Sequence, residues 1–318
     1  MIDVNNEAKD EIFGNIQKFL KDPPVIIWGS GATVPFGLPT MNDLTDAIIK
    51  EFPEFPKGNL EVELGKISDI ERKKKIRRII WEEIGKKDLG VQQEIKNGEY
   101  NKFEFIIKMI EKFREAHPQV VNIITTNYDC TLEYLFAWHD IHFTDGFTGK
   151  IFSKFDATAF SSKKIVNIIK VHGSLNWFTI DGTVRFLNRS NAGDTPVFII
   201  PGKDKYEEAY NIPFRDLIQI SDGIINKAKS FLVVGFGFND KHLTPKIKEK
   251  VREGVPLALI TKKVSDFCKE ELKDGRQYIL IEEAMVDKTR VTIKNNESPH
   301  EFVIDGDYWQ LKHFMEVI

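Results

Sequence analysis

Apolar residues follow two rhythms along this chain. Unbroken runs at 25–28, 120–125, 165–171, 197–200, 231–234, 257–260 and 278–281 read as short buried strands. Between them the spacing is helical: Ile12, Phe13, Ile16, Phe19 and Leu20 mark a helix before the first strand. Further helices are predicted at 41–49, 131–138, 207–229 and 307–317, the last with Tyr308, Trp309 and Phe314 on an aromatic, partly apolar face. Strands alternating with helices predict an α/β fold: a Rossmann-like, doubly wound, mostly parallel sheet. Residues 51–118 change character. A Pro/Gly-rich break at 51–59 leads into charged sequence with helical patterns such as Ile76, Ile79, Ile80 and Phe105, Ile106, Met109, Ile110, Phe113. The expected organisation is one domain over 1–318, with a core at about 20–50 and 119–318 and a helical subdomain inserted at about 51–118. A hairpin is expected over 177–192, turning at Asp181-Gly182.

Four strand ends carry candidate chemistry. After 25–28 come Gly29-Ser30-Gly31-Ala32-Thr33, then Gly37-Leu38-Pro39 and a helix that Thr40 can cap, with Asp43 three positions on. A strand, a small-residue turn and a helix N-terminus offer an anion site, though the same residues also make an ordinary tight turn. After 120–125 come Thr126-Asn127-Tyr128-Asp129, where Asp129 serves a ligand or caps the next helix. After 165–171 comes His172-Gly173-Ser174; a histidine there is structural or functional. After 231–234 comes a second glycine turn, Gly235-Phe236-Gly237-Phe238-Asn239-Asp240. In a doubly wound sheet such turns gather along one edge.

Composition narrows the classes. Charged residues make up 29% and the formal net charge is -3, so direct nucleic-acid binding is not expected. One basic run, 72–78, reads as a solvated helix face or as a contact for phosphates or an acidic partner. Two cysteines, Cys130 and Cys268, exclude a four-cysteine zinc site and a disulfide framework, and fit a reducing cytoplasm. No apolar run approaches the ~18 residues of a membrane span, and residues 1–20 carry acids, unlike a signal peptide.

The four turns, in this order, resemble the sirtuin superfamily over about residues 25–281. Gly29-Ser30-Gly31-Ala32-Thr33 with Gly37-Leu38-Pro39 resembles its glycine-rich NAD loop, Thr126-Asn127-Tyr128-Asp129 its asparagine motif, His172-Gly173-Ser174 its histidine motif, and Gly235-Phe236-Gly237-Phe238 its late glycine turn. Three features depart from the deacylating members. The zinc-ribbon cysteines are missing, Thr40-Met41-Asn42 stands where they have Asp-Phe-Arg, and Leu175-Asn176-Trp177 after the histidine motif is unlike their usual continuation. The zinc-free pattern is similar to bacterial anti-phage effectors of the Thoeris, Argonaute-associated and HerA-associated types, whose activity is hydrolysis of NAD+ itself.

That resemblance implies an NAD+ glycohydrolase, with NAD+ as substrate and no zinc or other metal. Asn127, His172 and Asp129 take the catalytic positions. Gly29, Ser30, Gly31, Ala32, Thr33, Pro39, Thr126, Gly235, Phe236, Gly237, Asn239 and Asp240 bind the dinucleotide, the first turn through backbone amides at the pyrophosphate and Asn239 or Asp240 at the adenosine ribose. It also implies a cytoplasmic effector that depletes NAD+ under the control of homo-oligomerisation or of a partner such as a HerA-type ATPase, with no membrane role. The alternatives are an NAD-dependent protein deacylase and a non-catalytic nucleotide-sensing assembly module.

Overall fold

Two apolar cores lie on opposite faces of one sheet, and the strands divide their side chains between them. Ile26, Trp28, Ile123, Leu232 and Ala258 belong to one core; Val25, Ile27, Ile124, Val233 and Leu259 belong to the other. That alternation follows from the two-residue period of a strand. Both faces are covered, which is why the strands read as continuous apolar runs. The computed structural model describes residues 6–58, 60–149, 151–161, 163–188, 195–200 and 211–318.

In chain order the strands are β1 (Val25–Trp28), β2 (Val121–Thr125), β3 (Phe143–Thr144), β4 (Phe147–Thr148), β5 (Ser153–Phe155), β6 (Val166–Lys170), β7 (Gly173–Ile180), β8 (Thr183–Phe186), β9 (Thr195–Phe198), β10 (Phe231–Val234), β11 (Leu257–Ile260), β12 (Gln277–Met285), β13 (Lys288–Asn295) and β14 (His300–Asp305). The main sheet has nine strands in the order β14-β13-β12-β11-β10-β1-β2-β6-β3. The seven strands from β12 to β3 pair in parallel, as between Val25 of β1 and both Phe231 and Asn122, whereas β13 and β14 add antiparallel. This is the expected Rossmann-like, mostly parallel α/β sheet. From β1 the chain winds outward through β2 and β6, then returns to β10 on the other side. The reversal places a crevice at the C-terminal ends of β1 and β10.

Helices Asn6–Phe19, Met41–Glu51, Ile70–Lys96, Glu104–Arg114 and Thr131–Trp138 cover the first face, and Phe214–Asn226, Leu243–Glu253 and Asp266–Leu272 the second. The segment 51–118 shares its core with the sheet: Ile76, Ile80, Ile84, Ile106 and Ile110 join the cluster that holds Ile26 and Ile123. It is the crossover between the parallel neighbours β1 and β2. Thr40 caps Met41–Glu51 in a full capping box, its Oγ1 accepting from the Asp43 amide at 3.2 Å while Asp43 Oδ2 accepts from the Thr40 amide at 2.7 Å.

A second, five-stranded antiparallel sheet has the order β4-β5-β8-β7-β9. Its β7–β8 hairpin turns at Asp181 and Gly182, with φ of +48° and +70°, as a two-residue primed turn requires. The expected far end of that hairpin (189–192) and the start of the helix expected from Glu207 lie outside the described residues. Two expectations at the C-terminal end are corrected. The sheet continues past 281 through β13 and β14, whose alternating, half-exposed residues lack a continuous apolar run. The helix expected over 307–317 is a single turn, Leu311–Phe314, that buries Leu311 and Phe314 against the first core.

Candidate functional site

The crevice is a cleft of about 330 Å³. Ser30, Thr33, Pro39, Thr126, Asn127, Asp129, His172, Gly235, Phe236, Gly237, Asn239 and Asp240 line it, together with Met41 and Asn42 from the capped helix and Ile84 from Ile70–Lys96. Gly29, Gly31 and Ala32 lie behind that lining. They form the joint between the two glycine turns. The Gly29 amide donates to the Val234 carbonyl at 2.9 Å and the Gly31 amide to the Gly235 carbonyl at 3.0 Å. A Cβ on Gly29 would stand 2.4 Å from the Gly235 oxygen, and one on Gly235, at φ +59°, would stand 2.2 Å from the Ala32 nitrogen. Only glycine fits there, because backbone meets backbone. The amides of Ala32 and Thr33 also donate within the turn, to the carbonyls of Gly29 and Ser30. The amides of 31–33, which the sequence reading aims at a pyrophosphate, are thus already engaged inside the protein.

Thr125 fixes the asparagine turn to β1. Its hydroxyl donates to the Trp28 carbonyl at 2.7 Å and accepts from the Asn127 amide at 3.0 Å. The Asn127 side chain then donates through Nδ2 to the Gly29 carbonyl at 3.1 Å and to Thr33 Oγ1 at 3.3 Å. Its Oδ1 is buried and has no hydrogen-bond donor among the described residues. A buried acceptor left open costs about 1–3 kcal/mol, and Asn127 is a residue of the cleft lining, so a hydroxyl or water brought by a ligand would satisfy it. Asp129 Oδ1 accepts from the Thr131 amide at 3.2 Å, at the start of helix Thr131–Trp138, and Oδ2 stands 3.5 Å from the Thr33 hydroxyl on the cleft side.

His172 joins β6 to β7, where the expected glycine turn opens directly into an antiparallel strand. Gly173 is required there: at φ +89° a Cβ would stand 2.6 Å from the Val197 carbonyl. Nε2 of His172 stands 2.9 Å from Oδ2 of Asp240, both side chains buried, in contact but out of line for a ring N–H hydrogen bond. The other Asp240 oxygen accepts from the amides of His242 and Leu243, both at 2.9 Å, at the start of helix Leu243–Glu253. Asp240, which with Asn239 is one of two candidates for contact with an adenosine ribose, stands against the histidine. The loop is strained just before it: Phe238 holds a left-handed φ of +61°, and the Thr244 hydroxyl donates to its carbonyl at 2.8 Å.

A buried charged layer, unmarked in the sequence reading, underlies the asparagine turn. Lys170 Nζ donates to the Asp129 carbonyl and to Glu133 Oε1, each at 2.6 Å. Burial opposes the Lys170 charge, but Glu133, Cys130 and Asp129 outweigh it and hold the amine above its ordinary range. Burial pushes the Glu133 carboxyl up, against the pull of Lys170. Burial and then the like charge of Asp129 push Asp88, from helix Ile70–Lys96, up to about 7. The signals available were a lysine closing the apolar run VNIIK and an aspartate on an apolar helical stripe.

The basic run 72–78 is largely paired at the surface. Arg72 meets Glu54 at 2.8 Å and lies over Phe52, Lys74 meets Glu71 at 2.8 Å, and Arg78 lies near Glu82 and over Trp81. Among the described residues no helix is long and apolar enough to cross a membrane.

Residues 121–256 match the family model described as a SIR2-like domain. The match contains Asn127, Asp129, His172, Gly235 and Asp240 and leaves out the first glycine turn. No curated protein matches the chain. Among solved structures, a Sir2 in complex with an inhibitor, 2′-O-acetyl-ADP-ribose and a deacetylated p53 peptide is 14% identical, covering 92% of this chain and 90% of that one at a TM-score of 0.43. A structure described by the basis of sirtuin substrate affinity is 12% identical, covering 96% and 95% at 0.46. A mutant Sir2 homologue bound to 2′-O-acetyl-ADP-ribose is 12% identical, covering 92% and 91% at 0.48. These are remote likenesses.

Proposed function

We propose that the cleft binds NAD+ and hydrolyses its bond between ribose and nicotinamide, releasing nicotinamide and ADP-ribose. The observation that carries this reading is Asn127 Oδ1, a buried acceptor without a protein donor on the lining of a cleft that also holds His172. The SIR2-like match over 121–256 supports it. In the reaction the C1′–N bond breaks and its electron pair leaves with nicotinamide, which turns from cation to neutral base. No strong general acid is needed. The ribose passes through an oxocarbenium-like state, and a water oxygen bonds to C1′. Asn127 orients that water or a ribose hydroxyl through its open acceptor. His172 takes the proton released, and the Asp240 carboxylate at 2.9 Å stabilises the resulting imidazolium. Ser30, Thr33 and the second glycine turn face the phosphates.

The setting proposed with this chemistry is that of the zinc-free branch: an anti-phage effector that depletes NAD+, controlled by self-assembly or by a partner such as a HerA-type ATPase. The motifs Gly37-Leu38-Pro39 followed by Asn42-Asp43-Leu44, and Thr125-Thr126-Asn127-Tyr128-Asp129, support it. A deacylase is not favoured, since two cysteines cannot build the four-cysteine ribbon of the deacylating members. The test is nicotinamide release from NAD+ by the purified protein, alone and with the product of the neighbouring gene, beside Asn127→Ala. Release that the variant loses is expected; none under either condition overturns the proposal.

A further inference from the structure

Asp88 belongs to none of the turns around the cleft, yet it grips one of them. It lies in Ile70–Lys96, 3% exposed, among the buried residues Ile84, Val91 and Ile95. Oδ1 accepts from the Cys130 amide at 2.7 Å and Oδ2 from the Tyr134 hydroxyl at 2.6 Å. Cys130 directly follows Asp129 and stands three residues after Asn127. On the other side Lys170 holds the Asp129 carbonyl at 2.6 Å. The end of the asparagine turn is thus tied twice, its carbonyl to β6 and its next amide to the helix. The same helix face reaches the histidine turn: Trp81 Nε1 donates at 2.8 Å to the carbonyl of Leu175, three residues past His172. Between Trp81 and Asp88, Ile84 lines the cleft.

We propose that Asp88 is a positioning residue, which fixes the backbone of turn 126–130 from the crossover helix so that Asn127 and Asp129 keep their places in the cleft. The proposal rests on the reading of that cleft as an NAD+ site for its kinetic consequence, and on the contacts alone for its structural one. An aspartate suits the task because one planar group meets two donors at once. An asparagine keeps both links, with its oxygen on the Cys130 amide and its amide on the Tyr134 oxygen. An alanine keeps neither. The charged neighbours are Asp129 in the turn, Lys170 on β6 and, through Lys170, Glu133; Tyr134 and Cys130 supply the direct contacts.

The experiment measures hydrogen exchange at the Cys130 amide and steady-state NAD+ cleavage for wild type, Asp88→Ala, Asp88→Asn and Tyr134→Phe. In Asp88→Ala the amide is expected to exchange about tenfold faster or more, because local opening sets its protection. A small misplacement of the reacting groups should lower kcat about tenfold or more while KM stays within about twofold. Asp88→Asn should restore both measurements to within about threefold of wild type. Tyr134→Phe should move them in the direction of Asp88→Ala, by less, and carries the comparison if Asp88→Ala does not fold. Unchanged exchange in both Asp88→Ala and Tyr134→Phe, or an Asp88→Asn variant as impaired as Asp88→Ala, overturns the proposal. A wild type that cleaves no NAD+, either alone or with the neighbouring gene's product, while Asp88→Ala still loosens the Cys130 amide would sink the NADase reading and leave the positioning role standing.

Discussion

The two halves of the cleft are held together by opposite means. On the β1–β10 side, two glycine turns interlock backbone to backbone, with no room for even a methyl group at Gly29 or Gly235. On the β2–β6 side, the asparagine turn rests on buried side chains: Lys170, Glu133, Asp88 and Tyr134. Steric packing tolerates no substitution but is indifferent to pH. A buried ionic layer accepts conservative replacement but responds to protonation, because each charge in it costs desolvation energy that its neighbours must offset. The cleft therefore joins one wall that is rigid by shape to one that is adjustable by chemistry.

The largest effects are expected at the residues that face the substrate. Asn127→Ala and His172→Ala should each lower nicotinamide release about 100- to 10,000-fold, the range for losing a positioned proton acceptor or orienting group. Circular dichroism should show both variants folded. Next comes the steric wall: Gly235→Ala should cost about 3 kcal/mol or more, from a left-handed backbone and a collision with Ala32, read as a fall in the midpoint of urea unfolding. A Gly235→Ala protein of unchanged stability would break the contrast between the walls.

The ionic wall should answer to pH. The Asp88 carboxyl titrates at about 7 in the folded protein, raised by burial and then by Asp129. The folded state therefore holds a proton that the unfolded chain releases near the ordinary carboxylate value of ~4. Stability contributed by this group is present in full below that value, falls as pH rises toward 7 and levels off beyond it. Asp88→Asn should remove that slope, which thermal unfolding across pH 5 to 8 would reveal. The smallest effect is expected at the surface: Arg72→Ala should change stability by about 0.5 kcal/mol or less and leave NAD+ cleavage untouched, since its partner Glu54 is exposed and Arg72 itself only half-buried.

The turns on both sides of the cleft were legible in the sequence and the buried layer beneath the asparagine turn was not, for a physical reason. Interlocked turns need small residues beside apolar strands, so Gly29, Gly31 and Gly235 announce themselves. Thr40 with Asp43, and Asp181 with Gly182, likewise carry their structure in local chemistry. Asp88 and Lys170 acquire meaning only through partners 42 and 41 residues away in sequence. A period-based reading passes over one charge in an apolar stripe, although Ile80, Ile84, Val91 and Ile95 frame Asp88 and make it an anomaly. The strands β13 and β14 escaped because their half-exposed faces carry Lys, Arg and Glu. The terminal helix was overread because Leu311 and Phe314 bury within a single turn. The approach of Asp240 to His172 joins two loops that no local signal connects.

The most direct test of the central claim is nicotinamide release from NAD+, measured side by side for wild type and Asn127→Ala, each alone and with the neighbouring gene's product. Stoichiometric nicotinamide and ADP-ribose are expected from the wild type, and at least about a 100-fold loss in the variant. Equal release from the two proteins, or none from the wild type under either condition, would contradict it.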